Sequence, residues 1–168
     1  MHEQSIKLLN QAVADEMWAI HQYMYFHFHC DDQGYDPLAA LFKKTAIEEM
    51  LHTERLADRI LFLKGEVEMK PSREVAKIHN VEEMLAKAME MEQMSVQDYN
   101  RFAKECMDHA DSASKRLFED LVVDEERHWN QFETQQDHLQ KYGAQFLALQ
   151  SFERGKTVSA PGGGAAGA

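Results

Sequence analysis

Four stretches of the chain set apolar residues at alternating steps of three and four, and each interrupts the pattern with a glutamate on the same face. The first runs Ile6, Leu9, Val13, Glu16, Ile20, Tyr23, His27, and the second Leu38, Phe42, Thr45, Glu49, His52, Leu56, Ile60, Leu63. The third is Leu85, Ala88, Glu92, Ser95, Tyr99, Phe102, Cys106, and the fourth Phe118, Leu121, Glu125, His128, Phe132, Gln135, Leu139. Such stepping marks one face of an α-helix, so the expectation is an all-α fold in which four helices bury these seams against one another. The acids constrain the fold more than the apolar residues do. Burying four carboxylates and two imidazoles uncompensated costs several kcal/mol per ion, more than the net stability of one domain.

Helix punctuation supports the same four segments. Asp36-Pro37 is a cap followed by proline at the first helical position, Gly65 is an expected stop, and Asn80 with Glu83 reads as a capping box. Short connections around "DDQGYD" and "HADS" make antiparallel hairpins of the first pair and the last pair. The link from Gly65 to Asn80 contains Pro71 and is long enough to run the length of a bundle, which favours a crossover between the second and third helices. After Gly143, "AQFLALQSF" is expected to form a short fifth helix. The chain is read as one domain over residues 1–154, followed by a flexible Gly/Ala-rich tail over 155–168.

Spacing relates the halves. Glu16 precedes Glu49 by the same interval as Glu92 precedes Glu125, and a single longer interval separates Glu16 from Glu92, Glu49 from Glu125 and His52 from His128. Two similar hairpins facing each other bring the six groups to one level around a pseudo-two-fold axis. One Glu from each of two helices plus a Glu-x-x-His from each of the others suits a pair of iron or manganese ions. Glu49 and Glu125 then bridge, Glu16 and His52 complete one position, and Glu92 and His128 complete the other. Cys30 and Cys106 form no CxxC, so neither a disulfide framework nor a thiolate zinc knuckle is expected. A formal charge of -11 argues against nucleic acid and for cations as partners. No apolar run nears the ~20 residues that cross a bilayer, and "MHEQSIKLLN" lacks the pattern of a secretion signal. A cytoplasmic protein with no membrane partner is the expectation.

The chain resembles the bacterioferritins over roughly residues 5 to 154, most closely in "LLNQAVADEMWAIHQYMYF", "EEMLHTERLADRILFLKG", "VEEMLAKAMEMEQMS" and "VVDEERHWNQFE". The family's ligand set maps onto Glu16, Glu49, His52, Glu92, Glu125 and His128. The resemblance implies a ferritin-like bundle with a ferroxidase di-iron centre that oxidises Fe(II) with O2 or H2O2. It also implies a homo-oligomeric 24-mer storing ferric mineral and a ferredoxin partner for iron release, with the fifth helix lining a channel of the shell. A b-type haem shared across a two-fold is implied, with Met50 as its axial ligand. Met50 turns about 100° from Glu49 and so points off the seam. His21, Met24 and Lys43, with Met17 and Ile47, fall on the flanks of that pocket; Lys43 is placed to pair with a propionate. Tyr23 matches a tyrosine beside the centre and is a candidate electron donor. Trp129 and His27 are read as packing and hydrogen-bonding residues, His29 and His109 as surface residues. The competing expectation is a rubrerythrin-like di-iron peroxidase without mineral storage, which would normally add a CxxC domain and a further glutamate ligand.

Overall fold

The structure, a computed structural model, describes residues 2–159, with side chains placed through residue 152. Five helices follow in order: α1 Glu3–Asp32, α2 Asp36–Phe62, α3 Val81–Asp108, α4 Ser112–Tyr142 and α5 Ala144–Ser159, and the described residues include no strand. Helices α1 and α2 form one antiparallel hairpin, α3 and α4 the other, and α1 faces α3 while α2 faces α4. The Gly/Ala-rich residues from 160 onward lie outside the described residues, so the tail expected over 155–168 is described only to Ser159, through which α5 continues.

The crossover is fastened along α1. The Asn10 side chain donates to Glu66 O and accepts from Glu68 N, Ala14 O accepts from Ser72 N, and the Trp18 indole donates to Glu74 O. Gln22 makes a reciprocal pair with the backbone of Ala76, at 3.0 and 2.8 Å. Positions 10, 14, 18 and 22 succeed one another by four, one stripe of a helix, so the link climbs α1 from its N-terminal end. It delivers the chain to Asn80, whose side chain accepts from Glu83 N and caps α3. Helix α3 therefore runs antiparallel to α1 and parallel to α2.

Two boundaries differ from the sequence reading. Helix α2 starts at Asp36, with Tyr35 as its cap residue and Pro37 one place inside, so Asp36 sits in the first turn, where the helix dipole favours a carboxylate. At the other end Lys64, not Gly65, takes the left-handed conformation (φ 64). Gly65 is small for another reason: a Cβ there would meet Ile6 Cγ2 at 2.7 Å and Ile60 Cγ2 at 3.0 Å. Helix α4 is capped by Asp111, which accepts from Ser114 N and holds Arg59 Nη2 at 2.6 Å.

The apolar core falls into two clusters. One contains Tyr23, Phe26, Phe42, Met84, Leu85, Phe132 and, from α5, Phe146; the other contains Leu9, Val13, Leu56, Ile60, Tyr99, Phe102, Phe118 and Leu121. Each buried large side chain contributes about 1.5–3 kcal/mol, and together they clamp the hairpins at both ends. The glutamates of the four seams lie between them.

Candidate metal centre

All six seam groups are buried: Glu16 is 2 % exposed, Glu49, Glu92 and Glu125 1 %, His52 4 % and His128 0 %. The structure brings them into two groups that share two carboxylates, Glu16, Glu49, His52 and Glu125 in one, Glu49, Glu92, Glu125 and His128 in the other. Glu49 Oε2 lies 2.8 Å from His52 Nδ1, while its Oε1 lies 3.0 Å from His128 Nδ1. Glu125 divides its oxygens likewise, Oε1 at 3.1 Å from His52 Nδ1 and Oε2 at 3.5 Å from His128 Nδ1. Glu16 Oε1 stands on the His52 side at 3.5 Å and Glu92 Oε2 on the His128 side at 3.7 Å. This arrangement can span two cations, with two carboxylates shared and one Glu and one His terminal to each.

The donor set also fits cations in a second way. Both oxygens of Glu49, Glu125 Oε1 and the Nδ1 atoms of both histidines are buried with no hydrogen-bond partner, although they crowd one another at ion-pair distance. Orphaned polar atoms gathered in this way at one level of a core are too costly to leave unmatched. Hard oxygen donors with two imidazoles suit iron or manganese. Burial and the charges of Glu125 and Glu49 hold the Glu16 carboxyl well above its ordinary range; burial and Glu125 push Glu92 up to about 8. Burial opposes charge on His52 and His128 as well, but the surrounding carboxylates outweigh it and hold both well above the usual imidazole value.

Two further layers surround these groups, and of their residues sequence reasoning named only Tyr23. His52 Nε2 faces Asp124 Oδ2 at 3.3 Å, and His128 Nε2 faces Glu48 Oε2 at 2.6 Å, so each imidazole is oriented by the carboxylate preceding the bridging Glu of the other half. Arg127 supports both, 3.0 Å from Glu48 and 3.2 Å from Asp124. Burial works against ionisation of Glu48 and Asp124, but His128 with Arg127 and Arg127 with His52 outweigh it, keeping both carboxyls below their ordinary range. The second layer is aromatic. Tyr23 OH donates to Glu92 Oε1, and Tyr99 OH donates to Glu16 Oε1 at 2.6 Å. Glu48 and Asp124, like Tyr23 and Tyr99, are separated by the interval that relates Glu49 to Glu125, a signal present in the sequence.

A small cavity of about 30 Å³, room for one water, is lined by Tyr23, Glu49 and Glu92 together with Asp15, Arg73 and Asp98. Arg73 rests over the Trp18 ring, 4.8 Å from its centroid. Among the described residues no further residue joins either ligand group.

The remaining candidates lie elsewhere. Met50 is 53 % exposed on α2, and Lys43 and Ile47 are exposed on the same helix. His21 is exposed on α1, where Met17 and Met24 are half-buried. His21 and Met24 share a hollow with Tyr25, Phe28, Val75 and Lys77. His27 Nδ1 bonds to Ala39 O at 2.8 Å, and Trp129 is half-buried beside an open hollow with Val96 and Asn130. His29 differs from a plain surface residue: its ring packs at a tilt against both Tyr25 and His79, with centroids 4.3 Å from each. His109 is exposed, and no described helix is long and apolar enough to cross a membrane.

Comparison with known proteins agrees with this geometry. Residues 6–142 match the family described as Ferritin-like domain. A bacterioferritin from Desulfovibrio desulfuricans is 36% identical over 143 residues, 85% of this chain and 80% of that one. One from Brucella melitensis is 34% identical over 138 residues, 82% of this chain and 86% of that one. An X-ray structure of the Desulfovibrio desulfuricans bacterioferritin, described by its diiron site in different catalytic states, superposes with a TM-score of 0.86 at 34% identity, covering 88% of this chain and 86% of that one. With this fold, this ligand geometry and identity of that extent, the chain belongs to the bacterioferritin family.

Proposed function

We propose that the chain is an iron-storing ferroxidase, binding two Fe(II) per subunit at Glu16, Glu49, His52, Glu92, Glu125 and His128 and oxidising them with O2 or H2O2. The observation that carries this reading is the set of orphaned carboxylate and imidazole atoms, shared between two positions that each hold one histidine nitrogen and one oxygen of Glu49. Fe(II) enters as substrate, drawn by negative charge at the bundle centre. Four carboxylates favour the ferric product, because anionic oxygen donors stabilise the higher charge and can move between one- and two-oxygen binding. Nδ1 of each histidine completes one position, while Asp124 and Glu48 hold the ring orientation from Nε2. Tyr23, hydrogen-bonded to Glu92, supplies a further electron when the oxidant needs more than the two irons give. The water-sized cavity beside Glu49 and Glu92 suits passage of a small oxidant.

The ferric product is stored as mineral inside a closed homo-oligomeric 24-mer, and a ferredoxin returns electrons for release. The exposed flank bearing Met50, Ile47 and Lys43 fits a b-type haem between two copies: a thioether free to ligate, apolar surface for the porphyrin, and a cation for a propionate. When bound, that haem would supply an electron path between the shell exterior and the mineral. His21 and Met24 lie on the neighbouring helix.

An anaerobic titration followed by stopped-flow oxidation tests the centre. Two Fe(II) bound per subunit and a fast oxidation phase are expected, and Glu92→Ala or Glu125→Ala should abolish that phase. Unaltered kinetics in both variants would remove the assignment. Peroxide reduction with no retention of iron in a large particle would favour the rubrerythrin-like alternative instead.

A further inference from the structure

We infer that Tyr99 is a second redox-active tyrosine, so that each iron position has its own electron donor: Tyr23 through Glu92 on the His128 side, Tyr99 through Glu16 on the His52 side. The inference rests on the ferroxidase reading above and extends it to a residue that the seam pattern treats as core. Three observations converge on it. Tyr99 follows Tyr23 by the interval that relates Glu16 to Glu92 and one Glu-x-x-His motif to the other. Its hydroxyl donates to Glu16 Oε1 at 2.6 Å, as Tyr23 donates to Glu92. Both rings are 0 % exposed and packed in phenylalanine, Tyr99 against Phe102 and Phe118, Tyr23 against Phe42 and Phe132. The two lie in opposite apolar clusters, one on each side of the carboxylate belt.

A structural tyrosine needs only a partner for its hydroxyl. Tyr99 has a specific one, a terminal carboxylate of the site, aligned to take the phenolic proton as the electron leaves. The balance then closes. Reduction of O2 to two waters takes four electrons and four protons. Two Fe(II) give two electrons, Tyr23 and Tyr99 give one each as their O–H bonds break, and the two phenolic protons pass by way of Glu92 and Glu16 to the reduced oxygen. Solvent supplies the other two protons. Neither ring is exposed to bulk solvent, which keeps external reductants from the phenoxyl groups. With only one tyrosine the same turnover is an electron short, and part of the oxidant leaves as hydrogen peroxide.

The test uses the full-length assembled protein and its Tyr23→Phe, Tyr99→Phe and double variants, each first titrated anaerobically with Co(II). Two Co(II) per subunit in every variant shows that the fold and the site survive; failure of the wild type to bind two would overturn the underlying site assignment instead. Each protein then receives two Fe(II) per subunit and excess O2, is freeze-quenched, and is read for tyrosyl radical by electron paramagnetic resonance and for released peroxide. Ring-deuterated tyrosine identifies the signal by its narrowed hyperfine pattern. We expect each single variant to keep roughly half the radical and to release more peroxide, and the double variant to lose the radical altogether, as for independent donors. Complete loss of radical in Tyr23→Phe, or wild-type radical and peroxide yields in Tyr99→Phe, would overturn the role of Tyr99. A merely structural Tyr99 would alter Co(II) binding without changing the radical yield per bound metal pair, which also overturns it.

Discussion

At the scale of single residues, the outer nitrogens of His52 and His128 explain why both Glu-x-x-His motifs are preceded by an acid. Asp124 and Glu48 reach across to the histidine of the opposite half, at 3.3 and 2.6 Å, and Arg127 keeps them in place. An imidazole that donates from Nε2 presents its Nδ1 lone pair inward and becomes a better ligand. Glu48→Gln and Asp124→Asn should therefore weaken anaerobic Co(II) binding by about 10–100-fold each while leaving the helical circular dichroism unchanged. The Glu48 variant should affect the His128 position, so loss of one Co(II) equivalent before the other is the expected pattern. With a haem on the Met50 flank as proposed, Met50→Leu should eliminate the Soret band and leave the fast oxidation phase intact.

Among the elements, the crossover and the capped end of α4 hold the hairpins in register. Gln22 satisfies both the N–H and the carbonyl of Ala76; Gln22→Ala leaves both without that partner and should cost about 1–3 kcal/mol in a urea titration. Gly65→Ala should cost a similar amount, about 1–3 kcal/mol, because its new methyl meets Ile6 and Ile60 in a packed corner. Asp111 carries a pH dependence. Burial opposes its charge, but Ser114, Ser5 and the Arg59 guanidinium outweigh that and lower its carboxyl from 3.8 to about 2. The folded form thus holds the ionised carboxylate more tightly than the unfolded chain, so the stabilisation is complete above pH ~4 and disappears as pH falls through ~2. Its size is about 2 kcal/mol, and Asp111→Asn should flatten the acid limb of stability measured between those values.

For the whole molecule, two apolar clusters enclose a polar belt, and stability becomes linked to metal. Each cluster would pack without a cation, but the belt between them would not reach its lowest energy. Any ion that binds only the folded site stabilises by mass action, about 2.7 kcal/mol at a hundredfold excess over its dissociation constant. Chelation should therefore lower the melting temperature, and added Co(II) should restore it in the native protein but not in Glu49→Ala. Sedimentation of the purified protein should give the mass of a 24-mer, and a small oligomer would remove the storage role while leaving the bundle in place.

Helix content, the four seams and the positions of the six buried polar groups are legible in the chain because periodicity is local: three-and-four stepping needs no knowledge of the neighbouring helix. The constant interval between the two halves even carried the symmetry of the site, since a repeated hairpin must repeat its register. What the sequence could not decide was which oxygen faces which nitrogen. Glu48 and Asp124 lie off the seam and have no partner assigned by periodicity until α2 and α4 are placed side by side, and Tyr99 reads as core until α1 brings Glu16 to its hydroxyl. Gly65 resembled a helix stop, yet its smallness answers to Ile6, far upstream at the start of α1. Those assignments depend on distances between helices, which only the packed bundle fixes.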